Sequence, residues 1–188
     1  MSQTRETLTM QNKTLIIMAE CNLFDDLAKI KKSIVANADY MAINAAGAIY
    51  LKPIKYWATY HPNCFPGYAC IRGGLGGNID YETHSHTSYI NNETGKEMVN
   101  HIWPLPKVNP GYTDFLSGSS TLFGVEVGLH LSYEQIIICG APLEVEKYQH
   151  FREAWRRALP RLKGKVISMS GWTKELLIVN ENKTQEVL

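Results

Sequence analysis

The run Thr14-Leu15-Ile16-Ile17-Met18-Ala19 decides the fold class of this chain, because five consecutive apolar residues follow one threonine. A strand that faces solvent on one side alternates apolar and polar residues, whereas a strand buried on both faces is apolar throughout. The runs at 39–43 and 135–139 have the same apolar character. Strands buried on both faces are typical of parallel sheets covered by helices, so these runs predict an α/β fold.

The segments between these runs carry helical patterns. Four apolar residues at spacings of three and four between 23 and 34 predict a helix that stops at Asn37, with acidic residues early and lysines late, as the helix dipole favours. Further helices are predicted at 119–131 and 144–159, and further strands at 54–60 and 166–169. The order of these elements predicts a Rossmann-like three-layer sandwich with a mainly parallel sheet.

The domain organisation is predicted from where these patterns begin, weaken and end. We expect one Rossmann-like domain at 14–179, preceded by a disordered leader at 1–13 and followed by a disordered tail at 180–188. An irregular insertion is expected at about 63–113, with short strands near 69–72 and 99–103. A structureless loop of that length is uncommon in a compact domain, so we expect it to be partly ordered and near the site.

Composition excludes several classes of partner. The chain has 19 Lys and Arg against 18 Asp and Glu, a formal charge of +1, so no nucleic-acid binding is expected. No segment is apolar enough for a membrane span, and the N-terminus lacks an apolar signal core. The four cysteines show no CxxC spacing, which indicates free thiols. We therefore expect a cytoplasmic protein; its oligomeric state is not indicated.

The strongest candidate site is Ser117-Gly118-Ser119-Ser120, directly before the predicted helix at 119–131. Hydroxyls, a glycine and the unpaired N–H groups of a helix start together can hold an anion. The alternative is ordinary N-capping by Ser119 or Ser120, which explains one serine of the cluster. The cluster as a whole favours a ligand.

Three other candidate residues follow predicted strands, where ligands bind in open parallel sheets. Asn44 follows the second strand and precedes small residues, which suits either close approach of a ligand or an Asx turn. Asn22 follows the first strand, as a ligand contact or a helix N-cap. His61 ends the third strand and is a candidate general base, because imidazole titrates near neutral pH.

His84 and His86, in the motif His84-Ser85-His86, are two histidines that could bind a metal ion. No carboxylate or cysteine stands at a recognisable spacing from this pair, so no metal ligand is predicted, and the sequence leaves the cofactor open. The two histidines are expected to be solvated residues of a loop.

The order of these pieces resembles a known superfamily. A strand with a polar turn, a strand ending in Asn44, Ser117-Gly118-Ser119-Ser120 before a helix, and a strand ending in Gly140 are similar to the superfamily that joins Campylobacter-type sialyltransferases with archaeal 6-hydroxymethylpterin diphosphokinase-like proteins. Uncharacterised phage and prophage members look most similar. The resemblance covers roughly residues 14–60 and 115–142 and implies a Rossmann-like fold.

The resemblance also implies ligands and site roles. The sialyltransferases bind a cytidine-monophosphate sugar and the pterin enzymes use ATP. On this basis Asn44 would lie beside a nucleotide, and the serine turn at 117–120 would meet its phosphate. The chain departs from the pattern at Ala19-Glu20-Cys21-Asn22, where the family has a glycine-rich turn, and at Ala141-Pro142, where an acid often follows.

The expected function is therefore a glycosyltransferase-like protein that binds a nucleotide or nucleotide sugar at the carboxyl edge of the sheet, with His61 as its base. The two departures motivate an alternative, a non-catalytic protein of the same fold that binds a ligand or a partner. A nucleotide-dependent diphosphokinase is a second alternative, although the chain has neither a GxxxxGK[ST] loop nor an obvious carboxylate pair for Mg²⁺.

Overall fold

The computed structural model describes residues 13–103 and 119–178, and these contain one seven-stranded sheet. Its strands are β1 (Thr14–Met18), β2 (Asp39–Ile43), β3 (Tyr56–Ala58), β4 (Glu82–Ser85), β5 (His101–Ile102), β6 (Gln135–Cys139) and β7 (Val166–Ser168). They lie in the order β5-β4-β3-β2-β1-β6-β7, and every neighbouring pair is parallel. The prediction of a Rossmann-like α/β fold is confirmed.

Helices cover both faces of this sheet. They are α1 (Leu23–Ala28), α2 (Lys32–Asn37), α3 (Ala46–Ile49), α4 (Phe65–Gly74), α5 (Ser120–His130), α6 (Arg152–Leu162) and α7 (Gly171–Leu177), with 3-10 turns at Pro62–Cys64 and Glu146–Phe151. One hydrophobic cluster joins the sheet to α5, α6 and α7, and the other joins it to α1 to α4. None of the described helices is long and apolar enough to cross a membrane.

The central strands have the two-sided burial that their apolar runs predict. Leu15 and Ile17 of β1 pack into the cluster under α5, while Ile16 and Met18 pack into the opposite cluster. All four side chains are inaccessible to solvent. Alternate residues of a strand face opposite sides of the sheet, so an uninterrupted apolar run is what a strand between two helical layers requires.

The helix predicted from 23 to 37 is divided into α1 and α2. Asp26 of α1 is fully buried, where its carboxylate accepts from the Gly140 amide at 2.9 Å and from Ser170 Oγ at 2.6 Å. The chain then turns at Lys31, whose ψ of 132° is extended, before α2 begins. Helical spacing reports neither the anchoring of Asp26 to turns distant in sequence nor the extended conformation of Lys31.

The stretch expected as an irregular insertion contributes, over its described residues, α4 and the edge strands β4 and β5. The strand predicted near 69–72 is wrong, because those residues lie in α4. Phe65 and Tyr68, three residues apart on α4, both pack on the indole of Trp57 and give the helix its buried side. The strand predicted near 99–103 is present as β5.

The other boundaries differ by a few residues. The helix predicted at 144–159 is a 3-10 turn followed by α6, which runs to Leu162. The small residues after Asn44 form α3 rather than an open turn, with Gly47 packed so closely on Trp57 that a Cβ there would lie 2.2 Å from the ring. Residues 1–12 of the expected leader, Ser117, Gly118 and the expected tail at 180–188 lie outside the described residues.

Arg72 on α4 is fully buried and forms hydrogen bonds with the chain segments that follow α3 and precede β4. Its Nε donates to the Asn78 carbonyl and one terminal nitrogen to the carbonyls of Gly47 and Tyr50. The other terminal nitrogen donates to the Lys52 carbonyl and to Asn78 Oδ1. All five guanidinium N–H groups therefore have acceptors, without a carboxylate partner.

Candidate functional site

The strand order places a crevice at the carboxyl edge of the sheet, between β1 and β6. From β1 the chain builds outward through β2 to β5 on one side and then returns to place β6 on the other side. In open parallel sheets, ligands bind where the order reverses in this way. A cavity of about 290 Å³ opens at this point. It is lined by residues 19–21, 43–44, 61, 119–121, 140–143, 148 and 151.

The turns after β1 and β6 form the floor of this cavity and are bonded to each other. The Ala19 amide donates to the Cys139 carbonyl at 2.8 Å, and the Cys21 amide donates to the Gly140 carbonyl at 3.0 Å. Gly140 has a φ of +79°, and a Cβ there would lie 2.2 Å from the Ala19 carbonyl oxygen, so only glycine fits. The N–H groups of Ala19 and Cys21 are thus already hydrogen-bonded within the protein and cannot donate to a phosphate.

Asn44 directs a polar group into the cavity. Its backbone has a φ of +50°, its Oδ1 accepts from Thr59 Oγ1 at 2.6 Å, and its carbonyl accepts from Trp57 Nε1 at 2.7 Å. No described residue accepts a hydrogen bond from its Nδ2. The side chain is therefore held by the end of β3, not by a local Asx turn, and has an amide donor to offer.

His61 lies at the end of the same network. Thr59 Oγ1, which donates to Asn44, also accepts from the His61 amide at 2.9 Å. The imidazole of His61 is exposed and lines the cavity. The structure therefore brings Asn44 and His61 together through Thr59, a residue that the sequence patterns did not single out.

The start of α5 forms another wall. Ser119 is its N-cap, with Oγ accepting from the Leu122 amide at 3.3 Å and from Trp155 Nε1 at 3.3 Å. Ser120 Oγ accepts from the Tyr60 amide at 3.2 Å. Both hydroxyls thus accept hydrogen bonds that stabilise the fold, and the N–H groups of the first turn of α5 can in addition hold an anion.

The charge of the cavity is small. Glu20 is the single carboxylate among its described lining residues, which include no lysine or arginine. Glu20 is exposed and its Oε1 accepts from the Ala45 amide at 3.2 Å. A negative rim opposite a helix N-terminus suits a ligand with little charge better than a polyphosphate.

The remaining candidates lie elsewhere. Asn22 occupies the N-cap position of α1 with a φ of +54°, but it makes no side-chain capping bond and does not line the cavity. The expectation of solvated histidines is wrong for His84, which is buried in β4. His86 is half-buried against the ring of Tyr60, and burial, reinforced by the neighbouring His61, lowers its pKa.

Two contributors to the cavity have no local sequence signal. Asp26 holds Gly140 in place through the bond described above, although its spacing indicates only an ordinary first-turn acid. Leu143, Tyr148 and Phe151 supply an apolar wall from the segment after β6. Thr59 is the one missed residue with a sequence signal, because it is a polar residue directly after a strand, where ligands bind in parallel sheets.

Comparison of the chain with protein-family models, with curated protein sequences and with solved structures finds no match. The resemblance to the sialyltransferase and pterin diphosphokinase superfamily stays a prediction. The function of the chain is therefore inferred from the geometry of the cavity.

Proposed function

We propose that this chain is a glycosyltransferase-like protein that binds a nucleotide or nucleotide sugar in the carboxyl-edge cavity. The observation that carries the proposal is the position of the cavity, at the reversal of strand order between β1 and β6 with the start of α5 as one wall. That position offers polar groups from several strand ends and a helix N-terminus to one ligand.

The lining narrows the ligand class. A volume of about 290 Å³ lies at the lower end of the range for small-molecule sites. Tyr148 and Phe151 provide aromatic surface on which a nucleobase can stack, and the Asn44 side-chain amide can donate to a carbonyl or hydroxyl group of the ligand. With no cationic side chain among the described lining residues, a single phosphate at the start of α5 fits better than a di- or triphosphate.

His61 supplies the chemistry of the proposed transfer. Its imidazole takes the proton of an acceptor hydroxyl, whose oxygen then bonds to the anomeric carbon of the donor sugar. The bond from that carbon to the phosphate oxygen breaks, and the nucleoside phosphate leaves with the electron pair. The exposed position of His61 on the cavity rim leaves room for an acceptor.

A non-catalytic binding protein is the second candidate, and one observation favours it. The amides of Ala19 and Cys21 are bonded to the turn after β6, and Glu20 stands beside them, so the first turn is closed to phosphate. A diphosphokinase is favoured least, because Mg²⁺ needs oxygen ligands and Glu20 is the single carboxylate of the described lining.

Calorimetric titration tests the binding step. We expect a ribonucleoside 5′-monophosphate to bind saturably and about ten-fold more tightly than its nucleoside, since a helix N-terminus stabilises a partly buried anion by roughly 1–2 kcal/mol. A cytidine-monophosphate sugar and a nucleoside diphosphate sugar complete the panel. No saturable binding by any of the four compounds would overturn the proposal.

The Glu20→Gln variant tests where the phosphate lies. Glutamine keeps the acceptor for the Ala45 amide and removes the negative charge at the rim. We expect two- to five-fold tighter binding of the monophosphate, about the size of an exposed charge interaction, and no change for the nucleoside. Glu134→Gln, an exposed site at the amino edge of the sheet, is the control. Equal effects of the two variants would place the phosphate elsewhere.

Turnover separates the two candidates. If transfer or donor hydrolysis occurs, His61→Asn should lower its rate by about 10²–10⁴-fold and leave the Kd of the donor unchanged. Binding of the donor with no transfer and no hydrolysis would overturn the catalytic step and leave the non-catalytic candidate.

A further inference from the structure

Three side chains with metal-binding atoms converge at the β4–β5 edge of the sheet, and none of them lines the carboxyl-edge cavity. Glu82 and His84 are two residues apart on β4, on one face of the strand, and His101 of β5 is the register partner of His84. Glu82 Oε2 lies 3.0 Å from His101 Nε2 and 4.0 Å from His84 Nε2. One ligand atom from each residue lies within 4.8 Å of the others.

The buried histidine of this group has an unused polar atom. The His84 residue is 1% exposed, and its Nε2 has no hydrogen-bond partner. Buried polar atoms without a partner are uncommon in folded proteins and call for an explanation. This atom faces the carboxylate of Glu82, which lies 4.0 Å away and is too distant for a hydrogen bond.

We propose that Glu82, His84 and His101 form a binding site for a divalent transition-metal ion of the zinc class, clamping the two-residue strand β5 onto β4. Two imidazoles and one carboxylate are a ligand set that suits zinc and its neighbours and leaves a coordination position for water. Metal–ligand bonds of about 2.0–2.1 Å place ligand atoms roughly 3.3 Å apart in a tetrahedron. The pair at 4.0 Å and the separations of up to 4.8 Å within the group must close, which the exposed side chains of Glu82 and His101 permit.

Metal binding at His84 requires a change at Trp103. Trp103 Nε1 donates to His84 Nδ1 at 2.9 Å, so the neutral ring carries its proton on Nε2. A metal on Nε2 displaces that proton, and Nδ1 takes one up to keep the ring neutral. Two donors then face each other across the former hydrogen bond, and the indole has to move. The site therefore couples metal binding to the position of Trp103.

Sequence patterns could not predict this site. The His84-Ser85-His86 pair has no ligand at a recognised spacing, and His101 stands 17 residues from His84. Only the parallel pairing of β4 and β5 places His101 opposite His84. The second histidine of the motif, His86, is not part of the cluster.

Calorimetric titration of the full chain with Zn²⁺ tests the site. The absorption spectrum of bound Co²⁺ shows whether the ligands are nitrogen and oxygen atoms or thiolates. We expect one ion to bind with no thiolate charge-transfer band. His101→Ala and Glu82→Gln, both at exposed side chains, should each weaken binding by at least about ten-fold, while the control His150→Ala should not. No saturable binding at 100-fold excess of Zn²⁺, or unchanged binding in both variants, would overturn the proposal.

Trp103→Phe tests the coupling. This variant removes the donor that holds the Nε2–H form of His84, so we expect it to bind Zn²⁺ a few-fold more tightly than the native chain. Zn²⁺ should change the tryptophan fluorescence of the native chain and leave that of Trp103→Phe nearly constant. Weaker binding by a folded Trp103→Phe, checked by its thermal unfolding, would show that the indole supports the metal and would overturn the coupling.

Discussion

Asn44 is the residue at which fold and proposed function meet. Its φ of +50° is a conformation that asparagine tolerates better than most side chains. Its carbonyl holds the indole of Trp57 and its Oδ1 holds Thr59, so the position is rigid before any ligand arrives. The remaining amide group is therefore a preorganised donor on the cavity wall.

Asn44→Asp is the sharpest substitution at this position. Aspartate keeps the backbone conformation and the acceptor for Thr59, but it replaces the free amide donor by a negatively charged acceptor. We expect the Kd of a bound nucleoside monophosphate to rise by about ten-fold or more, since one hydrogen bond is lost and a repulsion is added. Calorimetry measures the effect.

Asn92→Asp adds the same charge at an exposed position outside the cavity lining and is the control. Unchanged affinity in Asn44→Asp, with the fold intact, would remove Asn44 from the ligand site.

At the scale of elements, Arg72 explains how α4 is joined to the sheet. Its guanidinium fills the space between the end of α3 and the link that enters β4, and each N–H group meets a carbonyl or amide oxygen. A buried charge is costly unless its hydrogen bonds are complete. Five acceptors from two segments, residues 47–52 and Asn78, complete these bonds and fix both segments relative to α4.

Arg72→Lys should therefore destabilise the protein although the charge is kept. An ammonium group has three donors, so at least two of the five acceptors stay unsatisfied, and the planar fork is lost. We expect the free energy of unfolding to fall by about 2–4 kcal/mol. Urea denaturation measures it.

Arg157→Lys, on the exposed face of α6, is the matched control and should change stability by less than about 0.5 kcal/mol. Equal stability of the two variants would mean that the Arg72 bonds do not hold the elements together.

At the scale of the whole molecule, the carboxyl ends and the amino ends of the strands differ in what they hold. The carboxyl edge holds the cavity, while the amino edge carries a clamp in which Asp39 bonds Lys55 at 2.7 Å and accepts from the Tyr133 hydroxyl. These residues stand at the beginnings of β2, β3 and β6, so the clamp ties both halves of the sheet.

This clamp predicts an acid-dependent loss of stability. Burial raises the pKa of Asp39, but the hydrogen bonds from Lys55 and Tyr133 outweigh it and hold the pKa below its ordinary value of 3.8. As the pH falls, the unfolded chain takes up the proton first, so this stabilisation is present above pH 3.8 and is lost as the pH falls through the folded pKa.

Asp39→Asn is expected to be less stable than the native chain by about 1–2 kcal/mol at pH 7, a modest value because the pair is partly exposed. The difference should narrow at pH 3. Urea unfolding at both pH values measures it, with the exposed Asp25→Asn as control. A difference that is the same at both pH values would show that the charge of Asp39 does not contribute.

The candidate site was predictable in part. Asn44, His61, Ser119 and Ser120 all lie on the cavity because each follows a strand or begins a helix at the carboxyl edge, a position that sequence order reveals. The N-cap role of Ser119 is one of the two alternatives that the sequence predicts. The bonds from Trp155 to Ser119 and from the Tyr60 amide to Ser120 were not predictable, because their donors come from distant parts of the chain. The division of the first predicted helix and the burial of His84 in β4 likewise depend on distant contacts.

The amino-acid sequence by itself determined the parallel α/β fold and the edge of the sheet at which the candidate residues Asn44 and His61 gather. It could do so because apolar runs and helical spacings report which faces of an element are buried, and chain order reports which strand ends share an edge. Only the tertiary structure decided which side chains meet: Thr59 between Asn44 and His61, five acceptors around Arg72, and Glu82 with His84 and His101. Strand register and helix packing bring such residues together across long stretches of chain, and no local pattern contains that information.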